Sequence, residues 1–492
     1  MPQKNLKQKA ASGMVWTALQ KYSTMFIHFI SGIILARLLT PYDYGCIGML
    51  SIFMVLADSF IDGGFGSALI QKKRPTQEDY STIFWWNLGM AALMYAILFV
   101  SAPAIARFYN TPILCAVLRV QGIVLFTHAL NLIQRNKLKK KLNFKLLSIV
   151  TIIVTIINLG ITIFLAYKGF GVWALVAQNL IGSALYSLIF WFYVKWRPSW
   201  VYSWQSFKEL FGFGFYMFLT HLINSFSGQL QGLLIGKKYN PITMGYYSKA
   251  SATEQLASHS ISSIMTQVTY PLFAEVQDNK VTLSNMIKRL SMTLSYITFP
   301  LMFILLLCAK PLFVLLYSDR WLQSIPYFQV LCIAGLAGCL QSANLQAIAA
   351  IGKSKTMFVW TLLKRGVGIV AIVLGMVFFG MKGLLVGMIF NAWFSLFVNM
   401  GLVSKHVGYK FWRQILDVLP VGIASLIAAV ASFGVGYLLH LSMYPDGLVK
   451  AGVYAIIYLG WSFIFKPEAY TYFLTIIPAK FRFWERNKKS KK

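Results

Sequence analysis

The sequence predicts an all-α polytopic membrane protein of about fourteen transmembrane helices: two parallel six-helix lobes plus two extra C-terminal helices. Three observations predict it. Hydrophobic residues make up 58% of the chain, charged residues only 12%, and mean hydropathy is +0.64, far above soluble norms. Apolar runs of about 20 residues, the length that crosses a bilayer, are separated by short polar loops. The 45 Lys and Arg residues fall mostly in alternate loops, as they do in oriented membrane proteins. No sustained period-2 alternation is present, which favours helices over a barrel.

The apolar runs lie at about 12–36, 44–69, 81–105, 114–134, 146–167, 170–194, 209–235, 245–271, 286–309, 323–348, 357–380, 383–403, 415–440 and 448–466. The first is long and carries Lys21 within it, so it reads as a retained helix and not as a cleaved signal. One side of the membrane receives the basic N-terminus, Lys72 to Arg74, the cluster from Arg135 to Lys145, Lys195 to Lys208, Lys280 to Arg289, Lys405 to Arg413 and the C-terminal tail. The opposite side receives few cations, among them Arg37, Arg107, Lys237 and Lys238. That asymmetry places both termini in the cytoplasm. It also accounts for the net charge of +31 without nucleic acid as a partner. The five cysteines are scattered and mostly within apolar runs, which suits neither a disulfide framework nor a metal site.

The lobes follow from a repeat. GIILARLLTPYDYG at 32–45 is matched by GLLIGKKYNPITMG at 232–245, so that Gly32, Pro41 and Gly45 meet Gly232, Pro241 and Gly245. Further on, Gly122 falls on Gly335, Asn131 on Asn344, Gly171 on Gly383, Asn179 on Asn391 and Ser183 on Ser395. Ordered matches over a long period indicate two copies of one unit, related by an axis along the membrane normal. The expected organisation is a lobe over 1–200, a second over 201–405, and an addition over 406–492 whose basic tail carries Phe481, Phe483 and Trp484. Such a tail suits an anionic leaflet, or simply fixes topology.

An ionisable residue inside a membrane run is costly and is by default a functional candidate. The first run holds Lys21 and His28, and the second Asp58 and Asp62, each pair on one helical face. The fourth holds Arg119 and His128, the seventh His221, the eighth Lys249, Glu254 and His259, and the eleventh Lys364 and Arg365. The eighth run is too polar to face lipid: Ser248, Ser251, Gln255, Ser258 and Ser262 form a stripe at helical spacing, and such a stripe must meet water or polar groups. Asn224, Ser225, Gln229 and Gln231 add to it from the seventh run. Runs 1, 2, 7 and 8 are expected to enclose a hydrophilic cavity. Its cations suit phosphate, and its amides and hydroxyls suit sugar hydroxyls. The same groups also have bland roles: Asp58 and Asp62 as a structural pair, Arg119 as a packing cation, Lys364 and Arg365 as snorkelling cations, the histidines as hydrogen-bonded interior groups. The sequence contains no HExxH, GxSxG or phosphate-cradling GxxxxGK[ST], so no enzyme signature is present.

The stretch ILARLLTPYDYG, the following DSFIDGGFGSALIQ and the later RNKLKKKLNFK resemble the polysaccharide transporters of the multidrug/oligosaccharidyl-lipid/polysaccharide exporter superfamily. Within it they are similar to the colanic and teichuronic acid exporter branch, the Wzx-type flippases. The resemblance is most specific over residues 10–75. It implies a flippase that moves undecaprenyl-diphosphate-linked oligosaccharide from the cytoplasmic to the periplasmic leaflet of a bacterial inner membrane by alternating access. It implies surface polysaccharide biosynthesis, as for lipopolysaccharide or exopolysaccharide, no enzyme activity and no cofactor, with proton or sodium coupling in some members. Polysaccharide polymerase and export machinery are the protein partners it brings to mind. On this reading Lys21, Arg119, Lys249, Lys364 and Arg365 meet the diphosphate or acidic sugars. Asp58, Asp62, Glu254, His28, His221 and Gln255 serve coupling or cavity polarity. Two rivals remain at this point: a multidrug or cation exporter of the same superfamily, for which an acidic cavity is expected, and a membrane oligosaccharide polymerase, for which a large periplasmic loop is expected.

Overall fold

The structure is a computed structural model that describes the backbone of residues 3–476 and, within them, the side chains outside 3–11, 14, 213, 259–271, 274, 354–355 and 475–476. His259, Ser262 and the tail aromatics therefore lie outside what is described. The described residues are helices joined by short turns, and they form two compact units, Met1–Ser248 and Lys249–Lys492.

The first unit begins with α1 (Gln3–Leu38) and α2 (Pro41–Asp62). Between them Thr40 accepts from the backbone N–H of Asp43, while the Asp43 carboxylate accepts from that of Thr40 at 2.9 Å. This capping box, with Pro41 at the first helical position, fixes where α2 starts. The helix stops at Gly63 and Gly64, both at positive φ, and resumes as α3 (Phe65–Gln71). A Cβ on Gly64 would stand 2.0 Å from the Gly214 carbonyl oxygen, so glycine is needed there for conformation and for clearance. Then come α4 (Gln77–Phe108), α5 (Ile113–Gln121), α6 (Val124–Lys140), α7 (Phe144–Tyr167), α8 (Val172–Tyr193) and α9 (Trp204–Lys238). The boundary between the units falls within α10 (Pro241–Glu275).

The duplicated corners meet. A Cβ on Gly45 would lie 1.7 Å from the Pro241 oxygen, and one on Gly245 would lie 1.8 Å from the Pro41 oxygen. Reciprocal contacts of this kind give the corners a local twofold relation. At the other end, Lys72 bonds Asp79 at 3.1 Å and Glu209 at 2.8 Å, tying α3, α4 and α9 together. Burial lowers the proton affinity of the Lys72 ammonium, but these two hydrogen bonds outweigh it and hold the pKa above the ordinary lysine value. Lys140 donates to the Leu69 and Ile70 carbonyls, each at 3.0 Å, and so closes the C-terminus of α3. Above this end an aromatic core packs Phe65, Phe84, Phe190, Trp196 and Phe207.

The second unit contains α11 (Lys280–Leu307), α12 (Ala309–Tyr317), a 3-10 turn (Asp319–Ser324), α13 (Ile325–Ala350), α14 (Ser354–Val407), α15 (Phe411–Leu439), α16 (Met443–Phe465) and α17 (Glu468–Ile476). α14 is two helices joined at Gly380, whose φ of 62° is non-helical. The close approaches of Gly375 to Gly383, Gly387 to Ala371 and Gly368 to Asn391 run antiparallel. The chain therefore reverses at Gly380, between the expected runs 357–380 and 383–403. Lys288 joins Asp417 at 3.5 Å and Glu468 at 2.7 Å, which ties α11, α15 and α17.

Among the described residues, ten helical runs are long and apolar enough to cross a membrane, one of them being Thr356–Val407 with its internal reversal. The described parts of α1, α9 and α10, the most polar of the long helices, contain no such run. Large apolar side chains stand exposed along the spans, among them Val100, Leu188, Phe192, Phe378 and Ile464. Water would not tolerate so many, and lipid covers them. The protein is a multi-pass membrane protein. Three details differ from the expected runs. The second is split at Gly63–Gly64, the fourth at Gly122–Ile123, and α12 and α17 are additional short helices.

Candidate functional site

In the first unit, α2 carries Asp58 and Asp62 toward different partners. Asp58 Oδ1 lies 3.0 Å from His128 Nδ1 on α6. Asp62 accepts from the backbone N–H groups of Gly64 and Gly66, just past the α2 break, and is within electrostatic reach of His221 on α9 and Lys139 on α6. The same helix bonds α9 through Ser51 Oγ, which donates to Gln229 Oε1 at 2.9 Å, and through Ser59 and Ser225 at 3.4 Å. Part of the polar stripe of α9 is thus satisfied by α2. Lys21 is half-buried on α1, and His28 is exposed on the same face. Arg119 stacks over the Phe99 ring at 4.3 Å and donates to the Phe99 carbonyl at 3.4 Å. This engages its guanidinium with α4.

In the second unit, Lys249 is buried with its Nζ 4.0 Å from the Tyr317 ring centre and 5.7 Å from that of Trp321. One turn on, Thr253 Oγ1 is 3.1 Å from the Tyr317 hydroxyl and donates back to the Lys249 carbonyl. The aromatic faces offer the ammonium a partial counter-charge where water is scarce. Glu254 is buried on the same helix and bonds Ser258. A Cβ on Gly335 of α13 would stand 2.6 Å from Glu254 Oε1, so this glycine makes room for the carboxyl. Gln255 is exposed and donates to Ser251 Oγ at 3.0 Å. Lys364 is buried and donates to Asn399 Oδ1 at 2.6 Å across the α14 hairpin, with Arg365 half-buried beside it.

A family model described as polysaccharide biosynthesis protein matches residues 34–326, more than half of the chain. The chain belongs to that family. Among its relatives, the teichuronic acid biosynthesis protein TuaB of Bacillus subtilis (strain 168) is 25% identical over 358 residues, covering 72% of this chain and 74% of its own. The lipopolysaccharide biosynthesis protein WzxC of Escherichia coli (strain K12) is 23% identical over 443 residues, 88% of this chain and 89% of its own. The succinoglycan biosynthesis transport protein ExoT of Rhizobium meliloti (strain 1021) is 26% identical over 358 residues, 71% of each chain. A solved structure of the lipid II flippase MurJ shares the fold, with a TM-score of 0.73 at 15% identity over 92% of this chain and 99% of that one. A multidrug resistance transporter of the MATE family shares it at a TM-score of 0.60 and 15% identity, over 83% and 98%.

Within this member of the polysaccharide biosynthesis family, the fold brings Asp62 toward His221 and places Lys364 against Asn399. It does not pair Asp58 with Asp62. It also assembles polar residues that the sequence alone did not single out. His28 borders a cavity of about 150 Å³ whose other polar walls are Ser31, Thr155, Asn158, Gln178 and Tyr186. These residues come from α1, α7 and α8. Each is neutral, so charge did not mark it; the helical spacing of Thr151, Thr155, Asn158 and Thr162 on α7, and of Thr24, His28 and Ser31 on α1, is the signal that could have found them.

Proposed function

We propose that this chain is a flippase that moves undecaprenyl-diphosphate-linked oligosaccharide from the cytoplasmic to the periplasmic leaflet of a bacterial inner membrane. The observation that carries the reading is membership of the polysaccharide biosynthesis family by a chain that is a multi-pass helical membrane protein. The named roles of relatives in teichuronic acid, lipopolysaccharide and succinoglycan synthesis, and the flippase fold, support it. Transport, not catalysis, is the activity.

The lobes of this reading follow the repeat, 1–200 and 201–405, with 406–492 added and both termini cytoplasmic. The polar headgroup is the part that cannot cross lipid unaided. A diphosphate gains most from cations held away from bulk water. Lys21, Lys249, Lys364 and Arg365 are the residues proposed to meet it, and Arg119 is proposed with them although its guanidinium is engaged with Phe99. Asp58, Asp62, Glu254, His28, His221 and Gln255 supply polarity or carry a coupling proton or sodium ion. The polyprenyl tail stays in the bilayer, where its transfer costs nothing. A polymerase and export machinery would consume the product.

Lys21→Gln and Lys364→Gln, each expressed in place of the native protein, test the cationic assignment. Surface polysaccharide is expected to fall about tenfold or more, the effect of ~1.4 kcal/mol, with membrane protein levels unchanged. Wild-type polysaccharide in both variants would remove the assignment.

A further inference from the structure

The cavity beside His28 is built for a ligand of defined chemistry. Asn158 projects from α7 toward α8, where Gly182 leaves room for it: a Cβ there would stand 2.6 Å from Asn158 Nδ2. That nitrogen donates to the Gln178 carbonyl at 2.9 Å, which fixes the orientation of the amide. Its Oδ1 is buried with no hydrogen-bond donor among the described residues, and the residue contributes to the cavity wall. Such an acceptor inside a membrane helix bundle is costly to leave unmet. From the same wall, the Tyr186 hydroxyl donates to the Thr151 carbonyl at 3.3 Å and lies 3.4 Å from Thr155 Oγ1. Its lone pairs remain able to accept. The Gln178 side-chain amide lines the same space, Ser31 and Thr155 are buried in its wall, and His28 is exposed at its edge.

We propose that this cavity is a sugar subsite, seating one neutral pyranose ring of the transported oligosaccharide, with its ring hydroxyls bonding the polar side chains of the wall, Gln178 and Tyr186 among them. The inference rests on the flippase reading. Three properties select a sugar. The polar walls are amides, hydroxyls and an imidazole, which both donate and accept, as a polyol requires. No carboxylate among the described residues lines the space, so a cation would find no charged oxygen from them. The volume of about 150 Å³ equals that of roughly five waters, which is on the scale of one sugar ring and too large for a bare ion. Ile27, Val154 and Leu159 complete the lining and suit the apolar faces of a pyranose.

The test uses the purified full-length protein in nanodiscs and saturation-transfer difference NMR. The probes are methyl glycosides of glucose, galactose and N-acetylglucosamine at millimolar concentration. At least one is expected to give a signal, reduced about fivefold or more in Asn158→Leu and in Gln178→Leu. Gln178→Leu leaves the Gln178 carbonyl and its bond to Asn158 in place, and so reports even where Asn158→Leu fails to fold. No signal from any probe on the native protein would overturn the subsite. So would equal signals in folded variants, or sodium-23 line broadening that is lost in the variants while glycoside signals persist. The flippase reading fails separately: deleting the native gene would then leave surface polysaccharide unchanged. If deletion abolishes the polysaccharide while both variants export it normally and no glycoside binds, only the subsite is wrong.

Discussion

Lys364 shows how much a single buried charge constrains. It is 8% exposed, and its partner Asn399 is 3% exposed. Replacing Asn399 by Leu strands the ammonium against an apolar group. The expected cost is about 1–3 kcal/mol, that of an unmet buried donor, seen as a lower midpoint in a thermal unfolding assay of the detergent-solubilised protein. An unchanged midpoint would mean that the ammonium finds another acceptor. Asp58 and His128 make a contrasting case, because both side chains are more than a third exposed. Losing that contact through His128→Phe is expected to change stability by less than about 1 kcal/mol in the same assay. A larger loss would show that the pair is shielded from water. These residues also mark how far the sequence could be read. Charges in apolar runs stand out, so Lys21, Asp58, Lys249, Glu254 and Lys364 were visible at once. Their partners were not. His128 is seventy residues from Asp58, and neither Tyr317, Trp321 nor Asn399 differs in sequence context from an ordinary packing residue.

At the scale of elements, the Pro–Gly corners are the clearest duplicated feature, and their meeting explains why glycine follows each proline by four residues. Backbone passes against backbone where Gly45 meets Pro241 and Gly245 meets Pro41. Gly45→Val is expected to destabilise the fold by at least about 1–3 kcal/mol, the usual range for overpacking, and to lower the amount of protein recovered from membranes. The neighbouring Gly48 offers a functional test. Its Cβ would lie 2.5 Å from Ser248 Oγ, within the reach of a disulfide. Gly48→Cys combined with Ser248→Cys is expected to stop polysaccharide export under oxidant and to restore it with reductant, if α2 and α10 part during transport. Export that continues with the crosslink fully formed would show that they do not. The corners were legible because two copies can be compared. The break after Asp62 was present in the same sequence as DGGFG, yet an apolar run continues through it, so hydropathy alone merged α2 with α3. The α14 reversal went the other way. Hydropathy separated two runs, and Gly380 supplies the conformation that turns the chain between them.

For the whole molecule, composition, run length and loop charge were enough to read a helical membrane protein, because lipid demands apolar surface and internally satisfied backbone. They could not reveal how neutral polar groups on distant helices converge. The cavity formed by His28, Asn158, Gln178 and Tyr186 depends on the packing of α1 and α8 against α7, and no local pattern encodes which helices pack together. The central claim is that the protein carries a lipid-linked oligosaccharide across the bilayer. The most direct measurement depletes the protein and follows the leaflet distribution of undecaprenyl-diphosphate oligosaccharide, using a membrane-impermeant reagent that oxidises sugars only on the periplasmic side of spheroplasts. The prediction is an oligosaccharide pool that builds up and becomes inaccessible to the reagent on depletion, and accessible again when the protein is restored. A pool that stays equally accessible throughout would contradict it.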